Sequence, residues 1–125
     1  MSLAAKRIVA VAVGGLVGSG LRAAVALSWP VGGTWPWSTF TVNLAGAAAL
    51  GFLVARLRQT AAPPWAVELW GIGLLGSFTT FSTFAVEVWG LATAGRPLLA
   101  GTYGVVSVAA GLVAAVVGTR TGGAR

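Results

Sequence analysis

Apolar residues in this chain fall into four long runs, which short polar or proline-containing connections separate. The runs cover about residues 8–29, 39–57, 65–93 and 98–118. Because a membrane-crossing helix needs roughly 20 mostly apolar residues, the pattern predicts four membrane-spanning helices in a single domain, residues 1–125. The third run is longer than one span requires, which leaves room for a break between two half-helices.

A polar segment interrupts the third run near its middle. Residues 76–84 read Gly-Ser-Phe-Thr-Thr-Phe-Ser-Thr-Phe. Threonine weakens a helix through side-chain crowding, and glycine weakens it through backbone entropy. Irregular backbone at membrane depth is tolerated only where it is buried in protein or lines a wet cavity. The segment therefore predicts a broken helix and a site for binding or transport.

Composition supports the membrane class and argues against an enzyme. Hydrophobic residues make up 57% of the chain and charged residues only 8%, whereas about a quarter of an ordinary soluble domain is charged. The chain has no cysteine or histidine, which excludes disulfides and the usual transition-metal ligands. Its only carboxylates are Glu68 and Glu87, so general acid–base chemistry has few candidates.

The net charge of +6 is concentrated at the ends of the apolar runs, as expected for membrane topology rather than nucleic-acid binding. With four spans, one side of the membrane collects Lys6, Arg7, Arg56, Arg58, Arg120 and Arg125. The other side collects Arg96 and, depending on its depth, Arg22. Because positive residues favour the cytoplasmic side, we expect a multi-pass protein of the cell membrane with cytoplasmic termini.

Small residues predict close contacts between helices. Gly14 and Gly18 form a G-x-x-x-G pair in the first span, and such pairs let helix backbones approach each other in a membrane. Contacts between subunits are the favoured interpretation, because a chain of four helices has little volume in which to enclose a pathway. Packing within one chain is the alternative.

Two polar residues lie well inside the first two spans. Arg22 fits two interpretations equally well: a side chain that extends to the membrane surface, or a charge that attracts an anion into a vestibule. Asn43 offers two N–H donors and one carbonyl acceptor. It either bonds one helix to another or directs a donor into a pore.

Other side chains with candidate roles lie in the last two spans. Phe81 and Phe84 share a face if the second half of the third span is helical, and Ser82 and Thr83 lie beside them. Ring edges carry partial positive charge, so an edge-on ring suits a small anion. Tyr103 and Ser107 are four residues apart, which fits a polar track on the fourth span. The alternative is a tyrosine at the membrane interface and a serine whose hydroxyl bonds the backbone of its own helix.

The two carboxylates are interpreted differently. Glu68 lies at the start of the third span, where an acid suits the positive end of the helix dipole. The pattern assigns no role to Glu87.

Three stretches resemble the Fluc (CrcB-type) fluoride channels. Residues 76–84 resemble the Thr-Thr-Phe-Ser-Thr-Phe signature of that family. Residues 14–22 resemble its Gly-Gly-x-x-Gly-Ala-x-x-Arg stretch, and residues 39–51 resemble its Thr-Leu-x-Val-Asn-x-x-Gly stretch. Ser19 replaces the usual alanine and Ser38 a frequent glycine. The resemblance covers all four spans and is weakest in the fourth.

The resemblance implies an all-α membrane protein that forms an antiparallel, dual-topology dimer of four-helix subunits and exports cytoplasmic fluoride passively to relieve its toxicity. It implies a fluoride pore lined by Asn43, Phe81, Ser82, Thr83, Phe84, Tyr103 and Ser107. Arg22 would be a vestibule or structural residue. A structural sodium ion at the dimer centre would be held by the backbone carbonyls of Gly76 and Thr79.

The expected partners are therefore fluoride, the lipid bilayer and a second subunit. An antiparallel dimer of identical chains needs nearly balanced loop charges, whereas the strong bias here favours one orientation. The second subunit is therefore either an identical chain or, as the bias suggests, a related chain that inserts oppositely. Two other functions compete with a channel. A small dimeric exporter of cationic drugs needs an acid deep in the first span, where this chain has none. A membrane scaffold would use its hydroxyls only to join helices, and ion flux would distinguish it.

Overall fold

Four long apolar helices, the third of them broken, make up the computed structural model, which describes residues 1–29 and 33–124. The first span is α1 (Leu3–Ser28) and the second is α2 (Trp37–Leu57). The third span contains a π-helical segment (Val67–Leu75), the single turn α3 (Gly76–Phe78) and α4 (Phe81–Thr93). The fourth is α5 (Pro97–Gly123). The expected four-helix architecture is confirmed, while Pro30 and Arg125 lie outside the described residues.

Local sequence signals explain where the helices begin and end. Ser2 caps α1, since its hydroxyl accepts a hydrogen bond from the Ala5 N–H at 3.2 Å. Pro97 occupies the first turn of α5, where a missing N–H costs nothing. Gly95, with φ of 78°, makes the turn between α4 and α5, because this left-handed conformation disfavours a side chain. All four spans are long and apolar enough to cross a membrane.

Small residues join the helices into two parallel pairs within the chain. Gly14 and Gly18 of α1 lie directly against the backbone of the π-helical segment, and a side chain at Gly18 would collide with the Leu74 carbonyl. In the second pair, Gly118 of α5 lies against the Ala48 carbonyl of α2. The G-x-x-x-G pair of α1 therefore packs within the chain, and the expectation that it joins subunits is wrong for these positions.

Charged residues other than Arg22 and Glu87 lie near helix ends in the described part of the chain, in agreement with the topology argument. Lys6 and Arg7 lie in the first turns of α1, and Arg120 lies near the end of α5. Glu68 occupies the first turn of the third span, where the helix dipole favours an acid, and its Oε1 pairs with Arg7 Nε at 3.1 Å. This ion pair fixes the start of the third span against α1.

Candidate functional site

The break in the third span consists of two extended residues, Thr79 and Thr80. Thr79 has φ −77° and ψ 159°, and Thr80 has φ −146° and ψ 121°. The Thr79 N–H still bonds the Leu75 carbonyl, but the helical hydrogen-bond pattern stops before Thr80. The Thr80 hydroxyl then caps α4 by accepting a hydrogen bond from the Thr83 N–H at 3.2 Å. The break therefore leaves backbone groups that need other partners at membrane depth.

Asn43 of α2 supplies two of these partners. Its Nδ2 donates to the Thr80 carbonyl at 2.9 Å, and its Oδ1 accepts from the Thr80 N–H at 2.8 Å. One amide side chain thus replaces both hydrogen bonds that the helix would have given Thr80. The second N–H of the amide is not used by Thr80, so Asn43 joins two helices and still retains a donor.

Arg22 of α1 bonds the other side of the break. Its Nε donates to the carbonyl of Ser77 at 3.0 Å, near the C-terminal end of α3, where a cation complements the helix dipole. The half-buried side chain contacts the break, so Arg22 acts as a structural anchor of the third span.

Hydroxyl groups continue from the break into α4. Thr80 Oγ1 donates to Thr83 Oγ1 at 3.0 Å and lies 3.4 Å from Ser82 Oγ. Ser82 is exposed on the surface of the single chain, whereas Thr83 is half-buried. The three hydroxyls form a short polar row at the start of α4.

Glu87, one turn beyond Thr83, lies at the centre of a second hydrogen-bond cluster. Its Oε1 accepts from the hydroxyl of Thr39 and its Oε2 from the hydroxyl of Tyr103, both at 2.7 Å. Thr39 is 5% exposed and Tyr103 is fully buried. The cluster joins α2, α4 and α5 towards the end of the helix bundle opposite the chain termini.

Aromatic rings connect this cluster to the break. The Phe84 ring lies 5.3 Å from that of Tyr103 and 6.0 Å from that of Phe81, measured between centroids. The Trp35 ring meets Tyr103 edge-on at 5.2 Å. Phe81 is 80% exposed, so the other residues of the chain do not enclose its ring.

Ser107 lies one helical turn after Tyr103 on α5. Its Oγ is buried and interacts with the hydroxyl of Tyr103. The two hydroxyls of the predicted track on α5 therefore lie close to each other.

Two cavities flank the Thr80–Thr83 hydroxyl pair. The outer cavity, of about 480 Å³, is lined by Thr39, Thr83, Glu87 and tryptophans that include Trp35. The inner cavity, of about 370 Å³, is lined by polar and small residues of α2 and the third span, namely Asn43, Gly46, Gly76, Thr79, Thr80 and Phe81. A polar row thus leads from one cavity to the other past the break.

Gly76 and Thr79 lie together at the inner cavity. The Thr79 hydroxyl and N–H both bond the Leu75 carbonyl, at 3.0 and 3.1 Å. The oxygen ligands that Gly76 and Thr79 can offer to a hard cation are their backbone carbonyls and the lone pairs of the Thr79 hydroxyl. Side-chain metal ligands do not cluster in the described part of the chain.

The sequence did not indicate all members of the hydrogen-bond cluster around Glu87. Thr39 is a partner of Glu87 that the sequence did not single out, although it lies four residues before Asn43 and so shares its face of α2. Nor did the sequence single out Trp35, whose ring contacts that of Tyr103. No local signal identifies the hydrogen-bond partners of Glu87, because Thr39 and Tyr103 come from two other helices, α2 and α5.

Comparison with known proteins identifies relatives over nearly the whole chain. The family described as CrcB-like protein, Camphor Resistance (CrcB), matches residues 9–119. A protein of Chloroflexus aurantiacus named fluoride-specific ion channel FluC is 40% identical over 120 residues, which cover 92% of this chain and 94% of the relative. Fluoride-specific ion channel FluC 1 of Mycobacterium bovis is 40% identical over 111 residues, covering 87% and 84%. The FluC protein of Hyphomonas neptunium is 41% identical over 114 residues, covering 86% and 88%.

Proposed function

The chain belongs to the CrcB-like family, and from this membership we propose that it is a fluoride-selective ion channel that releases cytoplasmic fluoride passively. The relatives named as fluoride-specific channels cover most of the chain. The observation that carries the proposal is the polar row between two cavities at a helix break, in a multi-pass membrane protein.

The chemistry of the row suits fluoride. Fluoride is small and strongly hydrated, so a pore must replace its water with donors that it can leave again. Asn43 keeps one N–H beside the inner cavity, and Thr80, Ser82 and Thr83 supply hydroxyls. The edges of Phe81 and Phe84 add weak positive potential. Contacts of this kind are individually modest and follow one another along the row.

Liposome flux tests the proposal directly. Vesicles that contain the purified protein and potassium fluoride are diluted, valinomycin is added, and fluoride release is recorded with an electrode. We expect rapid fluoride release and no chloride release from matched chloride-loaded vesicles. Phe81→Ile should slow the release while the protein still elutes as a folded complex. Equal release of both anions would contradict a selective channel.

A second subunit completes the pore in this proposal. Phe81 is 80% exposed and lines the inner cavity of the single chain. In an antiparallel dimer, the second subunit would cover this ring. The family resemblance supports this arrangement.

The charge distribution favours a heterodimer. Basic residues lie at the start of α1 and near the ends of α2 and α5, on the side that holds the chain termini. A strong bias of positive charge to one side favours a single orientation in the membrane. The partner would then be a related chain that inserts oppositely. Labelling of single cysteines at the termini of the chain expressed alone should occur from one face of the cell only. Equal labelling from both faces would instead support an identical-chain dimer.

A structural sodium ion fits the residues at the break. Thr79 is extended, and helical hydrogen bonding is interrupted beyond it, so backbone oxygens become available near Gly76. Unwound carbonyls at the membrane midplane suit an alkali cation. In this proposal the carbonyls of Gly76 and Thr79 from two subunits hold the ion, which would offset repulsion between neighbouring anions. Sodium-dependent thermal stability in detergent, compared with N-methylglucamine buffer, tests it.

A further inference from the structure

The two carboxylates of the chain have opposite surroundings. Glu68 is paired with Arg7 at a helix start. Glu87 forms no ion pair in the described part of the chain, and its two oxygens are bonded only by neutral hydroxyls. An ionisable residue inside a membrane segment is expensive and indicates function by default. Glu87 therefore needs an explanation that helix packing does not supply.

Glu87 uses the hydrogens of two buried hydroxyls. A hydroxyl has one donor, and the hydroxyls of Thr39 and Tyr103 both direct it to this carboxylate at 2.7 Å. Neither hydroxyl can then donate to another anion at the same time. Hydrogen bonds to an ionised acceptor are shorter and stronger than those between neutral groups, so Glu87 is a strong competitor for these donors.

The cluster lies where the outer cavity meets the aromatic rings. Glu87, Thr39 and Thr83 line that cavity, and the Tyr103 ring contacts Phe84 at 5.3 Å on the side of the break. Anions that pass between the cavity and the rings must therefore pass the donors that Glu87 occupies. The cavity of about 480 Å³ gives the carboxylate room to move aside.

We propose that Glu87 is a tethered anion that occupies an outer anion-binding site formed by the Thr39 and Tyr103 hydroxyls, and that a permeating anion must displace it. The proposal rests on the proposed function and adds a competitor to it. Fluoride is a small anion and a strong hydrogen-bond acceptor, so it can displace a carboxylate from hydroxyl donors. When fluoride holds the two hydroxyls, the carboxylate lies in the cavity, and it returns after the ion leaves.

The test compares Glu87→Ala with the wild type and with Glu68→Gln, which removes the charge of the other carboxylate. Fluoride release is measured at neutral pH over a range of fluoride concentrations, with and without external potassium formate, and potassium gluconate as the osmotic control. If Glu87 holds the donors about nine-tenths of the time, its removal lowers the half-saturating fluoride concentration about tenfold. Formate, a free carboxylate, should then block Glu87→Ala and leave the other two proteins unaffected.

Further variants separate competition from a structural role. Adding Tyr103→Phe to Glu87→Ala should remove the formate block, since one of the two donors is lost. If Glu87→Ala does not fold, Glu87→Gln retains the side-chain volume without charge and should also lower the half-saturating concentration. A wild-type half-saturating concentration in the folded variants, or the absence of a formate block in Glu87→Ala, overturns the proposal while leaving the channel intact. An inactive wild-type protein, with or without a co-expressed partner, overturns both.

Discussion

Replacement of Asn43 by alanine tests how the broken helix is held. The amide of Asn43 bonds both the carbonyl and the N–H of Thr80, at 2.9 and 2.8 Å. Asn43→Ala removes both bonds at once. Because Thr80 is extended and lies between α3 and α4, its backbone groups have no helical partner to which they can return.

The expected cost follows from the number of groups left unpaired. A buried donor or acceptor that loses its partner costs about 1–3 kcal/mol, so two groups give about 2–6 kcal/mol. Hydrogen bonds between membrane helices average only about 0.6 kcal/mol, because the unfolded state finds other partners. We expect the cost of about 2–6 kcal/mol here. Both lost bonds involve the backbone of Thr80, which has no helical hydrogen bonds at the break.

Reversible unfolding in mixed micelles measures this cost. Asn43→Ala should lower the free energy of unfolding by about 2–6 kcal/mol and slow fluoride release as well. Thr102→Ala is the matched control, because the Thr102 hydroxyl is exposed and bonds only the Leu98 carbonyl of its own helix. A loss below about 1 kcal/mol for Asn43→Ala would refute the reasoning and mean that water or a second subunit satisfies Thr80.

Three further predictions follow from other contacts. Phe84→Ile should slow fluoride release in the liposome assay without changing the elution volume, since it removes only a ring edge; a wild-type rate would contradict a pore role. Gly118→Val should lower unfolding free energy by at least about 1–3 kcal/mol, because the side chain would collide with the Ala48 carbonyl; an unchanged midpoint would contradict this packing. Arg22→Ala should lower it by about 1.5–3 kcal/mol through loss of the bond to Ser77, whereas Arg22→Lys should retain part of it.

The architecture was predictable because membrane helices obey a simple length rule. Apolar runs of about 20 residues indicate spans, and the hydroxyl-rich segment at residues 76–84 marks the break that the structure places at Thr79 and Thr80. Helix pairing was not predictable in the same way. Gly14 and Gly18 identify a close-packing face, but small residues do not specify whether the partner helix belongs to the same chain.

Sequence spacing alone indicates the role of some predicted site residues better than that of others. Tyr103 and Ser107 share a face of α5 because they are four residues apart, and this relation is visible in the sequence. The two-point contact of Asn43 with Thr80 is not, because it depends on how α2 lies against the break. For Asn43 the two interpretations left open are compatible, since its amide joins the helices with one N–H and keeps another.

The proposed role of Glu87 accounts for a negative charge beside the row of hydroxyls that the proposed function assigns to the pore. A carboxylate near an anion path repels the ion through space, yet in this structure it also holds two hydroxyl donors that would otherwise lack partners in the membrane. Buried donors must be satisfied when the site holds no anion, and a tethered carboxylate can satisfy them without waiting for an ion. The repulsion then has a use, because an arriving anion and the carboxylate displace each other in turn, and neither remains bound for long. By this reasoning the anion binds the site only weakly because the carboxylate competes with it. The two hydroxyls can then be strong donors without holding the anion for long.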